Sequence, residues 1–450
     1  MQQASELVLD RYIKLYESKT AKSRSLFDQA IKTFPGGISH NIRYFEPYPF
    51  FAQKGHGKYL WDIDNNRYTD YWMGHWSLIL GHAPQVVVDA LKERMPEGTI
   101  FGTANELSVR LAQLINKIMP RAEMMRFSST GSEATMYAVR LARAFTGKRV
   151  VAKIEGGWHG FNTTLLKSII FPFEEDEGIG LLEEEQKYIV SLPFNNLHES
   201  MKILDSIKND LACIIVEPLL GGAGCIPPED DYLHGLQEYA RRFNALFLVD
   251  EIVTGFRLSL KGAQNIFSLE PDIFTIGKIV GGGMPIGVLC GSKEIMQLSD
   301  PKREKDDRCS IGGGTFSANP MSMAAGLSTL EYLSRNESVY DKINRLGEEA
   351  RKNIDKVMEE NNVMVKTTGM GSLFLTHFLR DKVSDVKNAR DAANCDIELQ
   401  KAYHFALIAK YGIFFLPHKM SAISVEHDSN DIKQLIDASE QLAMEIRGSN

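Results

Sequence analysis

The chain has 450 residues, 44% of them hydrophobic and 24% charged, and a formal net charge of −7 at pH 7. That length suits two or three domains, or one large domain with a smaller one attached; an acidic balance without a long basic run speaks against nucleic acid as a partner. Five scattered cysteines (Cys213, Cys225, Cys290, Cys309 and Cys395) form neither a disulfide framework nor a zinc cluster pattern, which fits the reducing cytoplasm, and no secretory core or apolar run long enough for a membrane span occurs.

Residues 1–32 mix polar and apolar positions at helical spacing. The Pro- and Gly-rich stretch 34–51 reads as a shaped loop, and 57–71 as a hairpin turning at Asp64, Asn65 and Asn66. From about residue 100 helices and short apolar strands alternate: a helix over 105–119, a strand over 124–129, and a helix from Ser132 to near Gly147. Strands follow at 149–155, 188–194 and 211–218, then a helix over 231–243 and strands at 245–251, 272–278 and 286–292. Such alternation implies a mainly parallel sheet covered on both faces. Beyond about 330 the pattern turns to a few helices, the strands "GSLFLTHFL", "IFFLPH" and "AISVEH", and a closing helix over 431–446. The organisation expected is an N-terminal segment 1–70, a large domain 71–330 and a small α+β domain 331–450. The acidic stretch 173–187 reads as a solvated loop, or else a mobile lid.

In a parallel sheet, function gathers at the carboxyl ends of strands. Four groups stand at such ends. In "FSSTGSEA" (127–134) a strand runs into a small polar turn and a helix begins at once; its amides, with the hydroxyls of Thr130 and Ser132, would hold a phosphate, although a plain capping box ending at Glu133 explains the same residues. Asp250, in "VDEIVTGFR", follows an apolar run, and a buried carboxylate needs a cation or strong donors: a protonated pyridine nitrogen, an ion pair or a helix cap. Trp158, in "EGGWHG", offers a flat face or is simply core, and His159 beside it is more often a hydrogen-bonding partner than a catalyst. Lys278, in "TIGKIVGGGMPIG", stands between an apolar strand and a glycine loop, where it either reaches to the surface or loses its proton and acts as a nucleophile. The glycine spacing is no dinucleotide fingerprint, no P-loop is present and no metal-ligand spacing occurs. A phosphate, a ring with a basic nitrogen and an aldehyde for the lysine together describe pyridoxal 5′-phosphate (PLP).

The chain resembles the class III (ω-type) PLP-dependent aminotransferases of fold type I, and within them the branch of glutamate-1-semialdehyde aminomutase and β-phenylalanine aminotransferase. The resemblance covers nearly the whole chain and rests on "FPGG", "STGSEA", "WHG", "VEPLLGGAGCIPP", "DEIVTGFR", "GKIVGGGMPIG" and "GGTFSANPMSMAAG", in family order. It implies an α/β fold: a large domain with a mainly parallel seven-stranded sheet and a smaller α+β domain. It also implies roles. Lys278 matches the lysine that meets the cofactor aldehyde and Asp250 the partner of the ring nitrogen. Trp158 matches the stacking aromatic and Val253 the residue on the other ring face. Thr130, Gly131 and Ser132 match the phosphate cup. Thr315 matches a threonine that reaches the phosphate of a neighbouring subunit, which implies a homodimer with sites at its interface. Glu217 matches a glutamate near the cofactor.

For the substrate, an amino acid requires a cation for its carboxylate. Arg43 matches the arginine with that task in the aminomutase, unless it pairs with Glu46; His40 stands roughly where β-phenylalanine aminotransferase has its arginine, and Arg257, which closes "DEIVTGFR", is a further guanidinium. Two departures from the aminomutase stand out. The stretch after "WHG", "FNTTLLKSIIFPFEEDEG", is bulky and then acidic instead of small, and "LPHKMSAISVEHD" (416–428) lacks a clear match to a glutamate-containing segment. The expectation is therefore an intermolecular aminotransferase with ping-pong kinetics, moving an amino group from an amine or amino acid to a keto acid or ketone. The alternative is glutamate-1-semialdehyde 2,1-aminomutase, and a racemase of the same fold comes third. A ligand-binding protein without catalysis has no need of both Lys278 and Asp250.

Overall fold

The computed structural model describes residues 2–175, 177–380 and 383–448, with side chains from residue 7 onward. Met1, Asp176, Asp381, Lys382, Ser449 and Asn450, which fall in the stretches read as the first helix, the acidic loop and the small domain, lie outside the described residues. Two compact units emerge: residues 1–84, 341–386 and 394–450 form one, residues 85–340 and 387–393 the other.

The first unit opens with helices at Gln2–Lys19 and Ala21–Ala30, so the single helical stretch read from the sequence is broken at Thr20, whose hydroxyl turns back to donate to the Tyr16 carbonyl at 2.8 Å. Strands β1 (Ala52–His56), β2 (Tyr59–Asp62) and β3 (Arg67–Asp70) follow. The β2–β3 hairpin turns at Asn65, left-handed at φ 67°, with the Asp62 carboxylate accepting the amides of Asp64 and Asn66.

The second unit is built on β4 (Met124–Ser128), β5 (Val150–Ile154), β6 (Ile189–Leu192), β7 (Leu211–Val216), β8 (Leu246–Glu251), β9 (Ile273–Gly277) and β10 (Gly287–Gly291). They form one seven-stranded sheet in the order β4-β10-β9-β8-β7-β5-β6. Only β10 runs against its neighbours, so the carboxyl ends of the other six share one edge. Continuous burial of β5, β7, β8 and β9 explains their unbroken apolar runs. One face packs on the helix Gly131–Thr146: Val151, Cys213, Ile215, Leu246, Leu248, Ile273 and Leu289 meet Ala138, Leu141 and Ala142 there. Burying some ten such side chains contributes roughly 2 kcal/mol each before entropy is counted.

The first unit resumes with β11 (Val365–Met370), β12 (Leu373–Phe378), β13 (Ile413–Phe414) and β14 (Ser421–Ala422). β11, β12 and β14 form an antiparallel sheet, while β13 joins β1–β3 by pairing parallel to β3. The strands expected from "IFFLPH" and "AISVEH" each shrink to two residues. The helix Ser429–Gly448 ends the described chain.

Candidate active site

Strand register gathers the sequence-predicted residues of the second unit. Lys153 pairs with Ile215, Ile215 with Leu248, Asp250 with Thr275, and Gly277 with Gly287, which pairs in turn with Ser128. Alternation puts all of these on the face beneath the Gly131–Thr146 helix. The pair Val216–Val249 sets Glu217 beside Asp250. Along β5, β7, β8 and β9 the face is thus apolar over most of its length and turns polar at the carboxyl edge.

Asp250 is buried, with both oxygens engaged. Oδ1 accepts the Thr275 hydroxyl at 2.8 Å and the Ile252 amide at 3.1 Å; Oδ2 lies 2.7 Å from Nδ1 of His159. Burial holds His159 below its ordinary pKa, partly opposed by Asp250, so the ring stays neutral near pH 7. A neutral imidazole at this distance donates Nδ1–H to the carboxylate, which leaves Nε2 as an acceptor. Nε2 is buried and meets no hydrogen-bond partner among the described residues.

Glu217 accepts the amides of Trp158 at 2.9 Å and Gly221 at 3.3 Å. Burial and the adjacent Asp250 charge nevertheless push its carboxyl up to about 8, against the pull of those amides and of Lys278. Lys278 directly follows β9 and adopts left-handed backbone, φ 50°, at a cost of about 1 kcal/mol for a non-glycine residue. Burial pushes its amine down to about 8, opposed by Asp250 and Glu217. A lysine so placed gives up its proton, and becomes a neutral nucleophile, far below the ordinary lysine range.

The turn after β4 forms a complete capping box: Thr130 Oγ1 accepts the Glu133 amide at 3.2 Å, and the Glu133 carboxylate accepts the amides of Ser129 and Thr130 at 2.9 Å. Gly131 and Ser132 belong to the first helical turn, whose amides have no carbonyl within the helix to bond. Ser132 Oγ accepts the amide of Phe161 at 3.1 Å. β10 presses against this turn from below. A Cβ on Gly287 would lie 2.1 Å from the Thr130 carbonyl oxygen. Trp158 stands 36% exposed, with Phe161 edge-on at 4.7 Å, and Val253 is half-buried in the turn after β8. Thr315 is exposed in the loop before the helix Pro320–Arg335.

His40 and Arg43 belong to the first unit. Nδ1 of His40 accepts the Ile42 amide at 3.3 Å, and burial with the nearby Arg43 charge lowers its pKa. Arg43 is exposed and donates to Ser39 Oγ at 3.2 Å; it makes no ion pair with Glu46, which takes the Tyr44 hydroxyl instead. Arg257 is fully buried, and burial lowers it to about 10. The His40 ring lies 6.0 Å from that of His75. His75 stands in a left-handed turn, Met73–Trp76, with φ between 46° and 67° at every residue. Asp70 holds that turn by accepting the amides of Trp72 and Met73, while Trp76 donates its indole N–H to the Met420 carbonyl at 2.7 Å. Nothing in the sequence beyond Gly74 marked this segment. Thr275 and the His159–Asp250 contact were likewise out of reach, because they follow from strand pairing.

Residues 43–423 match the family model of the class III aminotransferases. The chain belongs to that family. Among curated class III relatives, the glutamate-1-semialdehyde 2,1-aminomutases of Methanosphaera stadtmanae and Methanothermobacter thermautotrophicus are 36% and 37% identical, each over 94% of this chain and 98% of the relative. Among solved structures, a β-phenylalanine aminotransferase from Variovorax paradoxus superposes with a TM-score of 0.87 at 28% identity, covering 97% of both chains. A transaminase with PLP bound gives 0.86 at 28% identity, over 94% of this chain and 98% of that one. The fold is fold type I, and the cofactor is pyridoxal 5′-phosphate. The donor set suits it: a neutral amine for an aldehyde, a buried carboxylate for a ring nitrogen, and helix-start amides for a phosphate. Among the described residues no helix is long and apolar enough to cross a membrane.

Proposed function

We propose that this enzyme exchanges an amino and a carbonyl group between neighbouring carbons of one substrate, glutamate-1-semialdehyde or a close analogue, as a PLP-dependent aminomutase. The observation that carries the reading is the 36–37% identity to glutamate-1-semialdehyde 2,1-aminomutases along nearly the whole chain. It favours the aminomutase over the intermolecular aminotransferase expected from the two sequence departures.

When bound, PLP supplies an electron sink for the charge left on a substrate carbon that loses a proton. The chain's residues do the rest. Lys278 would bond the cofactor at rest, and its amine, once freed from that bond by the substrate's exchange into its place, would take a proton from one substrate carbon and return it. Asp250, oriented by Thr275 and His159, keeps the ring nitrogen protonated. Thr130, Gly131 and Ser132 hold the phosphate, with Thr315 of a second copy reaching the same group in a homodimer. Trp158 and Val253 flank the ring. Glu217 sits at the cofactor's edge and holds a proton. Arg43 pairs with the substrate carboxylate, with His40 beside it.

Intermolecular amino transfer is the second reading, supported by the β-phenylalanine aminotransferase likeness at 28% identity. One experiment separates the two. The purified holoenzyme is given glutamate-1-semialdehyde alone. Stoichiometric appearance of the isomer with amino and carbonyl groups exchanged supports the aminomutase. No isomer, combined with turnover of an amine only when a keto acceptor is added, replaces it with the transaminase.

A further inference from the structure

Lys153 has no part in the chemistry above, yet it is a lysine in the middle of a fully buried strand. It is 0% exposed, and its ammonium donates to the Lys167 carbonyl at 2.6 Å. A methionine would fill such a position at no electrostatic cost, and a buried ammonium with one neutral acceptor is expensive. Its register explains the charge. Lys153 pairs with Ile215, so Glu217 lies two residues further along the neighbouring strand, on the same face. Strand spacing and rise put the two backbones at about 8 Å on the diagonal, a distance that a lysine and a glutamate side chain can close. Asp250 stands beside Glu217 on the next strand.

Burial pushes the Lys153 amine down to about 8, and among the described residues the titratable groups that act on it are Glu177, Glu217 and Glu155, while its charge in turn helps to keep the His159 ring neutral. Two of the carboxylates are already answered. Glu155 takes both arms of Arg390 at 2.8 and 2.9 Å, and Glu177 accepts the amides of Ile169 and Ile170. Glu217 has only two amides against the repulsion of Asp250, and Lys278 must be neutral to react.

We infer that Lys153 is a positioning residue, a buried amine set on the face of Glu217 that acts through Glu217 and Asp250 and thereby sets the pH at which Lys278's bond to the cofactor gains its proton. The inference rests on the PLP site but holds for aminomutase and aminotransferase alike. Removing a cation from this edge favours every protonated form nearby, so the titration must move upward.

The test is a pH titration of the visible absorption band of the PLP-loaded protein, with thermal melting measured in parallel. Lys153→Met should raise the midpoint by about half a pH unit or more, as expected for one charge acting across a partly polar interior. Lys153→Arg should restore it. Glu217→Gln should make the Lys153→Met change nearly silent. A lower melting temperature with an unmoved midpoint would reduce Lys153 to a structural group and overturn the inference. If Lys153→Met alone does not fold, the double variant Lys153→Met/Glu217→Gln should, because it removes the buried amine together with the carboxyl group that faces it; an equally unfolded double variant also overturns it. A wild-type chain without a visible band would instead refute the cofactor site.

Discussion

Gly287→Ala tests whether the turn after β4 is the phosphate cup. The new methyl would lie 2.1 Å from the Thr130 carbonyl oxygen and 2.5 Å from its carbon, both backbone atoms that no side-chain rotation can move. Ordinary contact begins at 3.4 Å, so the turn must retreat by 3.4 minus 2.1, or 1.3 Å, or be shared between turn and strand. Overpacking of this kind costs roughly 1–3 kcal/mol. If the cost falls on the cofactor-binding geometry, PLP affinity should drop by about 5- to 150-fold. Fluorescence titration of the apoprotein with PLP gives that number directly. Gly222→Ala is the control, because its methyl would meet only Trp158 Cβ at an ordinary 3.6 Å. Thermal melting of the apoproteins separates lost affinity from lost stability. Unchanged PLP affinity in a folded Gly287→Ala protein would refute the assignment of Thr130, Gly131 and Ser132 to the phosphate.

Reconstitution of the apoprotein should report the Lys278 amine. Because only the neutral amine attacks an aldehyde, the bonding rate should rise with pH and reach half its limit near pH 8; stopped-flow absorbance with a midpoint near ordinary lysine, above pH 10, would contradict this. Arg43→Ala should raise KM for carboxylate substrates about 10- to 100-fold, leaving amines without a carboxylate unaffected; equal losses for both would remove Arg43 from substrate binding. Glu217 has a folded pKa above its unfolded value, so the folded state alone keeps the proton between pH 4.5 and about 8, and stability falls as pH rises through that window. Glu217→Gln apoprotein should therefore lose less melting temperature between pH 5 and 8 than the parent, and an identical loss would argue that Glu217 ionises normally.

The strands of the large unit were legible to within a residue or two because β5, β7, β8, β9 and β10 are buried on both faces and all seven are mainly apolar runs bounded by polar turns. Asp250 and Lys278 were legible for the opposite reason: a charge at the end of an apolar run is conspicuous. What surrounds them was not. His159 and Asp250 are 91 residues apart, and their 2.7 Å contact depends on β5 and β8 flanking β7, an order the chain does not spell out locally. Lys153 looked like any lysine until its register with Ile215 put it on the same face as Glu217, two residues along the neighbouring strand. The left-handed turn at Met73–Trp76 escaped notice because only Gly74 favours that conformation; the capping by Asp70 and the Trp76–Met420 bond supply the rest. The loop glycines after Lys278 have a reason beyond room for a ring: a Cβ on Gly282 would lie 2.6 Å from the Ala325 carbonyl of the Pro320–Arg335 helix.

The reversed strand β10 also has a bearing on how the enzyme is made. It is inserted between β4 and β9, so the turn at Thr130 gets its supporting floor from a residue more than 150 positions later in the chain. During synthesis at some 5–20 residues per second, the 124–146 strand-and-helix segment leaves the ribosome about 8–30 s before Gly287 does. Until then the edge of β4 that β10 will cover is unpaired. If that turn holds the cofactor's phosphate, as proposed above, the nascent chain lacks the floor of the site until β10 has been made.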